Sequence, residues 1–530
     1  MNDLISENSS SKILVWVERA GNRLPDPAII FFYLILVLIA VSVLCEALGL
    51  SALHPTQLDA SGNRKVEQAF SLLSADNIQR LWVEMPKTFT HFHPLGYVLV
   101  VMLGAGVAER SGLFASAIRA ALANAPVYLL TPFVAVIAML SNHAADAGYV
   151  VVIPVAAIIF AAAGRHPILG VGVGFAGVSG GFSANLAPGA LDALLFGITE
   201  SAYQASGIDA GWSMNIAGNW WFITALLIMY IPVIWLVADK FVEPRLGAWL
   251  PSNMADVSAY QSHDEPLSDA QRKGLQHAGL ALVGVVLFWA LMTLGPGTPL
   301  LNDGPGTEGA HWYTVAAPFF KSLIAAFLIL FLVTGYFYGR AAGTIKSSQD
   351  MVDMMSEAMK DMGYYLVLAF FAAHFVAMFG WSNLGLITAV HGAGMIENSG
   401  LPLPIVLGMI VIFAGVLNLF VGSASAKWAL LAPVLVPMLI LLGVSPDGAT
   451  AAYRVGDSAT NIITPIMVYF PLVLVFARRW QKDFGLGSLT AMMLPYSIWM
   501  LLTGTALMMF WIMLGLPLGP GAPAEIVLPG

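Results

Sequence analysis

The chain has 530 residues, 58% of them hydrophobic and only 10% charged, against about a quarter charged in an ordinary soluble protein. That composition cannot supply a water-facing surface, and runs of about 20 apolar residues, enough to cross a hydrocarbon core as a helix, recur along the whole length. The net charge of -8 includes no basic stripe suited to nucleic acid, and the single cysteine, Cys45, excludes an intramolecular disulfide and a cysteine-based zinc site.

Within lipid every backbone amide needs an internal partner, so the choice lies between helices and a closed barrel. The runs here are continuous and rich in Leu, Ala, Met and Gly rather than alternating over about ten residues, which selects helices. The chain therefore reads as an all-α polytopic membrane protein. Its first apolar run, from Ala28, follows Asn22-Arg23-Leu24-Pro25-Asp26-Pro27 and is too long for the core of a cleaved signal peptide, so it reads as retained.

Lys and Arg sort by side. Lys12, Arg19 and Arg23, then Lys240, Arg245, Arg272 and Lys273, then Arg340 and Lys346, then Arg478, Arg479 and Lys482 mark cytoplasmic connections, because positive residues are retained inside. The stretches 298–314 and 518–530 hold no Lys or Arg and read as external, which puts the N-terminus inside and the C-terminus outside. Met351, Met354, Met355, Met359 and Met362 have the spacing of an amphipathic helix lying at the interface.

An internal repeat organises the rest. Pro154, Gly164, Pro167, Gly177 and Ser179 recur as Pro433, Gly443, Pro446, Gly456 and Ser458, all 279 residues later, and the segment at Gly96 resembles that at Gly363. The charge bias starts these two segments from opposite sides, so the halves are inverted, an arrangement that points to a secondary transporter. The predicted layout is a cytoplasmic tail over 1–27, a first span and external loop over 28–93, a first repeat over 94–216, linking and scaffold helices over 217–361, a second repeat over 362–486, and a last span with an external tail over 487–530.

Within each repeat the apolar pieces from Pro154 to Gly164 and from Pro433 to Gly443 are about 10 to 15 residues long, too short to span. Each ends at a Pro-containing turn, which predicts re-entrant hairpins over about 149–180 and 424–463. Polar residues gather beside them: Ser141, Asn142, His143 and Asp146, then Ser183 and Asn185, in the first half; Ser423, Ser425 and Trp428, then Arg454, Asp457 and Asn461, in the second. Hard oxygen donors suit Na⁺, making Asn142, Ser183, Asn185 and Asn461 candidate ligands for a coupling ion, while Asp192 and Asp457 leave room for protons. No other cofactor is expected. Where the second half has Arg454 and Asp457, the first has Phe175 and Val178. Their spacing of three residues permits a mutual salt bridge as well as a role in binding or coupling.

Three other functions compete. Gly177-Val178-Ser179-Gly180 matches a short intramembrane serine-protease pattern, broken helices also build channels, and a dicarboxylate carrier could share the hairpins.

Over nearly the whole chain, and most specifically at Ser425-Ala-Lys-Trp428, Tyr453-Arg-Val-Gly-Asp457-Ser-Ala-Thr-Asn461 and Thr464-Pro465, the sequence resembles the AbgT family of bacterial p-aminobenzoyl-glutamate transporters. The resemblance implies a homodimer in the bacterial inner membrane, with about nine transmembrane helices and two re-entrant hairpins per subunit. It implies ion-coupled import of p-aminobenzoyl-glutamate or export of sulfonamide-like antimetabolites. It places Ser425, Trp428, Arg454 and Asp457 on the substrate path, Asp192 as the first-half carboxylate, and Pro446 and Pro465 as helix breakers. A p-aminobenzoyl ring stacked on Trp428, with its glutamate carboxylates forked by Arg454, fits that chemistry.

Overall fold

The computed structural model describes residues 26–123, 127–144, 148–212, 215–247, 249, 267–302 and 310–528. The tail carrying Lys12, Arg19 and Arg23, and the candidate Asp146, lie outside the described residues.

The first helix, α1 (Pro27–Ala47), begins where Asp26 accepts the Ala28 N–H at 2.9 Å and Pro27 takes the first turn, a position where its missing N–H goes unneeded. The chain is not purely helical. Strands β1 (Ser51–Leu58) and β2 (Arg64–Gln68) pair antiparallel across a turn in which Asp59 Oδ1 accepts from the N–H groups of Ser61 and Asn63 and Gly62 has φ +80°. This polar stretch lies between apolar runs, and turn chemistry decides its pairing.

The first half continues with α2 (Ala75–Thr90), α3 (His93–Arg110), α4 (Leu113–Ala123), α5 (Leu130–Leu140), α6 (Ile153–Ala162), α7 (Pro167–Phe175) and α8 (Ala190–Ser206). Helices α9 (Trp220–Val237), α10 (Asp269–Thr293) and α11 (Leu323–Ala342) link it to α12 (Ser348–Asp361), the expected amphipathic helix. The second half holds α13 (Gly363–Trp381), α14 (Leu384–Asn398), α15 (Leu403–Asn418), α16 (Ala424–Leu441) and α17 (Pro446–Asn461); α18 (Phe470–Trp480) and α19 (Leu486–Met513) end the chain. Eight helical segments among the described residues are long and apolar enough to cross a membrane. A ninth crossing would fall to a shorter apolar helix such as α15.

The paired helices α6–α7 and α16–α17 share a backbone plan. Each turn carries a glycine in the left-handed region, Gly164 at φ +75° and Gly443 at φ +84°, and each second helix starts on a proline, Pro167 or Pro446, behind a side-chain cap from His166 or Ser445. Their first arms differ. Helix α6 continues a π-helical turn over Gly148–Val152, so the first arm runs from Gly148 to Ala162, whereas α16 has 18 residues with Pro433 and Pro437 inside it, longer than the 10 to 15 expected. Proline removes one helical hydrogen bond and kinks a helix without ending it when packing holds both sides, and most of this arm is buried.

The two turns sit at opposite ends of α9. At one end Asn219 Nδ2 donates to the Asp447 carbonyl at 2.9 Å, beside the α16–α17 turn. Past the other end, Asp239 Oδ1 accepts from Arg165 of the α6–α7 turn at 2.6 Å. Twenty residues of helical rise separate them, roughly 30 Å. The C-terminal stretch also packs against the protein: the Ser445 N–H donates to the Ala524 carbonyl and the Ile526 N–H to that of Gly443, at 3.0 and 2.8 Å.

Candidate functional site

Helix α17 lines the site. All of its residues from Pro446 to Asn461 are buried, charged ones included, although an ionisable side chain in a membrane interior costs several kcal/mol unless compensated. Arg454 and Asp457 do not pair with each other. Three residues apart, they diverge by about 60° around the axis, and each meets a closer partner on another helix. Arg454 Nη1 donates to Asp192 Oδ1 of α8 at 2.7 Å, and Asp457 Oδ1 lies 2.5 Å from Lys427 Nζ of α16.

Asp192 is built for that contact. It stands in the first turn of α8, where its Oδ2 accepts the Gly189 N–H at 2.8 Å, a stabilising place for a carboxylate that leaves Oδ1 for Arg454. Asn219 Oδ1 lies 3.5 Å from the same Arg454 nitrogen, while Arg454 Nε is buried with no hydrogen-bond partner among the described residues. A guanidinium offers five N–H donors, and the described residues use few of them.

Lys427 is fully buried and had no assigned role from sequence. Its ammonium also contacts Asn418 Oδ1, and Asn418 Nδ2 shares its two N–H groups among the Asp457 carbonyl (2.7 Å), Thr460 Oγ1 (3.0 Å) and Asn461 Oδ1 (2.8 Å). The available signal was a lysine within an otherwise apolar helix, which is itself a functional flag.

Trp428 has no free ring face for cargo on its Tyr453 side: the two rings stack at 4.6 Å and 21°, and its Nε1–H donates to Thr199 Oγ1 at 2.9 Å. The residue is completely buried. Ser425 lines a separate, apolar pocket with Phe92, Tyr365 and Leu368. Pro446 opens α17 rather than breaking it, and Pro465 follows its end.

Asn461 belongs to the Asn418 network, apart from the other candidate ion ligands by its bonding. Asn142, in the turn after α5, donates to the Met139 carbonyl of that helix at 2.9 Å, whereas Ser183 Oγ and Asn185 Oδ1 are buried without partners among the described residues. His143 Nε2 lies 3.0 Å from the Ala187 carbonyl, a local tie. Ser179 Oγ is likewise buried without a hydrogen-bond partner among the described residues.

A narrow cavity reaches the Asp192–Arg454 pair. Its walls include Phe196 and Thr199 of α8, Trp212, Asn215 and Asn219 of the following connection, and Asp447 and Thr450 of α17. None of Trp212, Asn215, Asn219 or Asp447 was singled out from sequence as a site residue.

Residues 12–526 match a family described as the "AbgT putative transporter family". The chain is 34% identical over 522 residues to the p-aminobenzoyl-glutamate transport protein of Escherichia coli K12, covering 98% of both. Two solved structures share its fold at 39% identity. The Alcanivorax borkumensis YdaH transporter, described as having an unusual topology, aligns over 94% of this chain and 100% of its own with a TM-score of 0.84. Neisseria gonorrhoeae MtrF, described as illuminating a class of antimetabolite efflux pumps, aligns over 96% and 100% with a TM-score of 0.88.

Proposed function

This chain belongs to the AbgT family of transporters, and from that premise we propose that it carries p-aminobenzoyl-glutamate or a related aromatic carboxylate across the bacterial inner membrane, driven by an ion gradient. The observation that carries this reading is Arg454: a buried guanidinium on a cavity wall, held by Asp192 on one nitrogen and with Nε unpartnered. A cargo carboxylate entering the cavity takes over the position of the Asp192 carboxylate through a bidentate fork. Binding then separates α8 of the first half from α17 of the second, a direct link between cargo and the relative position of the halves.

The inverted, two-hairpin mechanism is supported by the two turns lying at opposite ends of α9. Buried, unpartnered oxygens at Ser183 and Asn185 favour a first-half Na⁺ site, with Asn142 nearby in sequence. A homodimer is supported by α10 and its neighbour α11, whose outer surface exposes Leu280, Leu287, Phe288, Leu291 and Phe337; such a face buries itself in lipid or against a second copy. The charge bias keeps the N-terminus inside and the C-terminus outside. The likeness to MtrF favours export of antimetabolites such as sulfonamides as a second reading, while a dicarboxylate cargo would leave the aromatic walls of Phe196 and Trp212 without a partner.

Uptake of labelled p-aminobenzoyl-glutamate into proteoliposomes under imposed Na⁺ or proton gradients tests the reading, with Arg454→Ala beside the parent. Gradient-dependent accumulation that falls by a hundredfold or more in the variant is expected, since charge-assisted hydrogen bonds to a buried carboxylate are lost. Full accumulation by Arg454→Ala would remove Arg454 from the cargo site.

A further inference from the structure

We propose that Asp447 and Asn215 form the amine-recognising end of the cavity, opposite Arg454, and so select cargo bearing a hydrogen-bond donor para to its acyl group; this deepens the proposed function and rests on it. Asp447 and Arg454 are seven residues apart on α17, two full turns, which puts them on one face about 10 Å apart along the axis. Thr450 lies between them on the same cavity wall. A para-substituted aromatic ring with a carboxylate arm is of a length to bridge such a pair.

The two acceptors at the Asp447 end are held in place with lone pairs to spare. Asp447 is buried, and its Oδ2 accepts the Trp212 Nε1–H at 2.7 Å while its Oδ1 has no donor among the described residues. A side chain at Gly218 would collide with that Oδ1, so the glycine makes the space the carboxylate occupies. Asn215 donates from Nδ2 to the Pro520 carbonyl at 3.0 Å, which fixes the amide, and its Oδ1 is buried without a partner among the described residues. An unpaired acceptor in a closed site costs free energy, and a cargo N–H satisfies it. The opposite end has the reverse shortage, an unpartnered donor at Arg454 Nε. The cavity thus asks for a molecule that donates at one end and is anionic at the other.

In the state described the cavity is too small for a ring, so the cargo enters it only as α8 and α17 part, between aromatic walls. Phe196 and Trp212, with centroids 5.9 Å apart and planes at 55°, form an aromatic corner on its wall, a role that the enclosed Trp428 does not offer in this state. Trp212 both flanks the ring position and holds Asp447, so the amine-binding carboxylate and the ring wall move as one unit.

The test compares transport of p-aminobenzoyl-glutamate with benzoyl-glutamate, which lacks only the amine, by the parent, Asp447→Asn and Asn215→Leu in proteoliposomes. The parent is expected to prefer the amine-bearing cargo in KM by roughly tenfold or more, the size of one well-placed hydrogen bond to a charged acceptor. Each variant should bring that ratio towards one. A parent ratio near one, or a ratio preserved in both variants while the two rates fall together, overturns the inference and assigns Asp447 and Asn215 to holding the turn. A parent that accumulates neither cargo sinks the cargo reading itself, and this inference with it. Asn215→Leu guards against misfolding of the Asp447 variant, because it leaves the Trp212–Asp447 hydrogen bond in place.

Discussion

Helices α7 and α17 follow the same turn and start on the same proline, and Gly177 and Ser179, in the π-helical turn Ala176–Gly180 that prolongs α7, match Gly456 and Ser458 of α17, yet the electrostatics are opposed. Phe175 and Val178 stand 279 residues before Arg454 and Asp457, and all four are buried. Phe175 meets the edge of Phe470 at a centroid distance of 5.9 Å. Val178 faces Gly148, which stands 279 residues before Lys427; a Cβ on that glycine would lie 3.2 Å from Val178 Cγ1. One contact between an entering arm and a returning arm is therefore apolar in the first half and an ion pair in the second. A shared backbone plan in two halves is the arrangement that alternating access would use under the proposed function, and charge marks this contact in the second half alone.

The largest expected effect comes from undoing the second-half pair on one side only. Lys427→Ala leaves the Asp457 carboxylate buried without its ammonium, and breaking a buried pair this way costs about 3–5 kcal/mol. Thermal unfolding of the purified protein should show it as a clear loss of Tm. The double variant Lys427→Met with Asp457→Leu, which imitates the apolar first half, should recover most of the lost stability without recovering transport. If Lys427→Ala melts with the parent, the pair is not a structural tie and the contrast between halves lies elsewhere.

Sequence carried the class of the protein because hydropathy over whole helices is a local property. The repeat was legible for the same reason as any turn: Pro167 and Pro446 open helices, and Gly164 and Gly443 take backbone angles that other residues resist. Partner choice was not legible. Arg454 and Asp457 lie three apart and read as a pair, but Asp192 and Lys427 reach them from helices placed only by tertiary packing. Asp447 read as a turn residue because Ser-Pro-Asp-Gly is turn chemistry, and nothing local says that Trp212, 235 positions away, donates to it. The strand pair at 51–68 was hidden by the dominance of the apolar signal around it.

A smaller effect should distinguish how the two halves pack their glycines. A Cβ on Gly456 would run into the backbone of α15 at Val411 and Gly415, whereas one on Gly177 would meet the Ala138 methyl and, at 3.0 Å, the Ala135 carbonyl. Overpacking costs typically 1–3 kcal/mol, and backbone yields less than a methyl group. Gly456→Ala should therefore lower Tm more than Gly177→Ala. Adding Ala138→Gly should restore much of the loss in the first half, and no such compensation exists for Gly456. Equal losses, or no rescue by Ala138→Gly, would mean that the close approach of α15 and α17 is no tighter than its first-half counterpart.

The smallest effect concerns the amphipathic helices that precede α3 and α13. Both are capped by serine, Ser74 on the Asn77 N–H and Ser347 on the Asp350 N–H, but only the second has a carboxylate three residues on from its cap. Asp350 Oδ2 accepts the N–H groups of Ser347 and Lys346 at 2.8 and 2.7 Å, and these bonds hold its pKa below the ordinary 3.8. A group whose folded pKa is depressed lends stability that is complete above the unfolded value and fades as pH falls through the folded one. Asp350→Asn should then lower Tm slightly at neutral pH, with the difference shrinking as pH drops below about 3.8, while Asn77→Ala should show a difference independent of pH. Asp350 is partly exposed to solvent, so the shift should be small and reduced by salt. A pH-independent loss in Asp350→Asn would assign its contribution to hydrogen-bond geometry alone, and the two caps would then be equivalent despite their different chemistry.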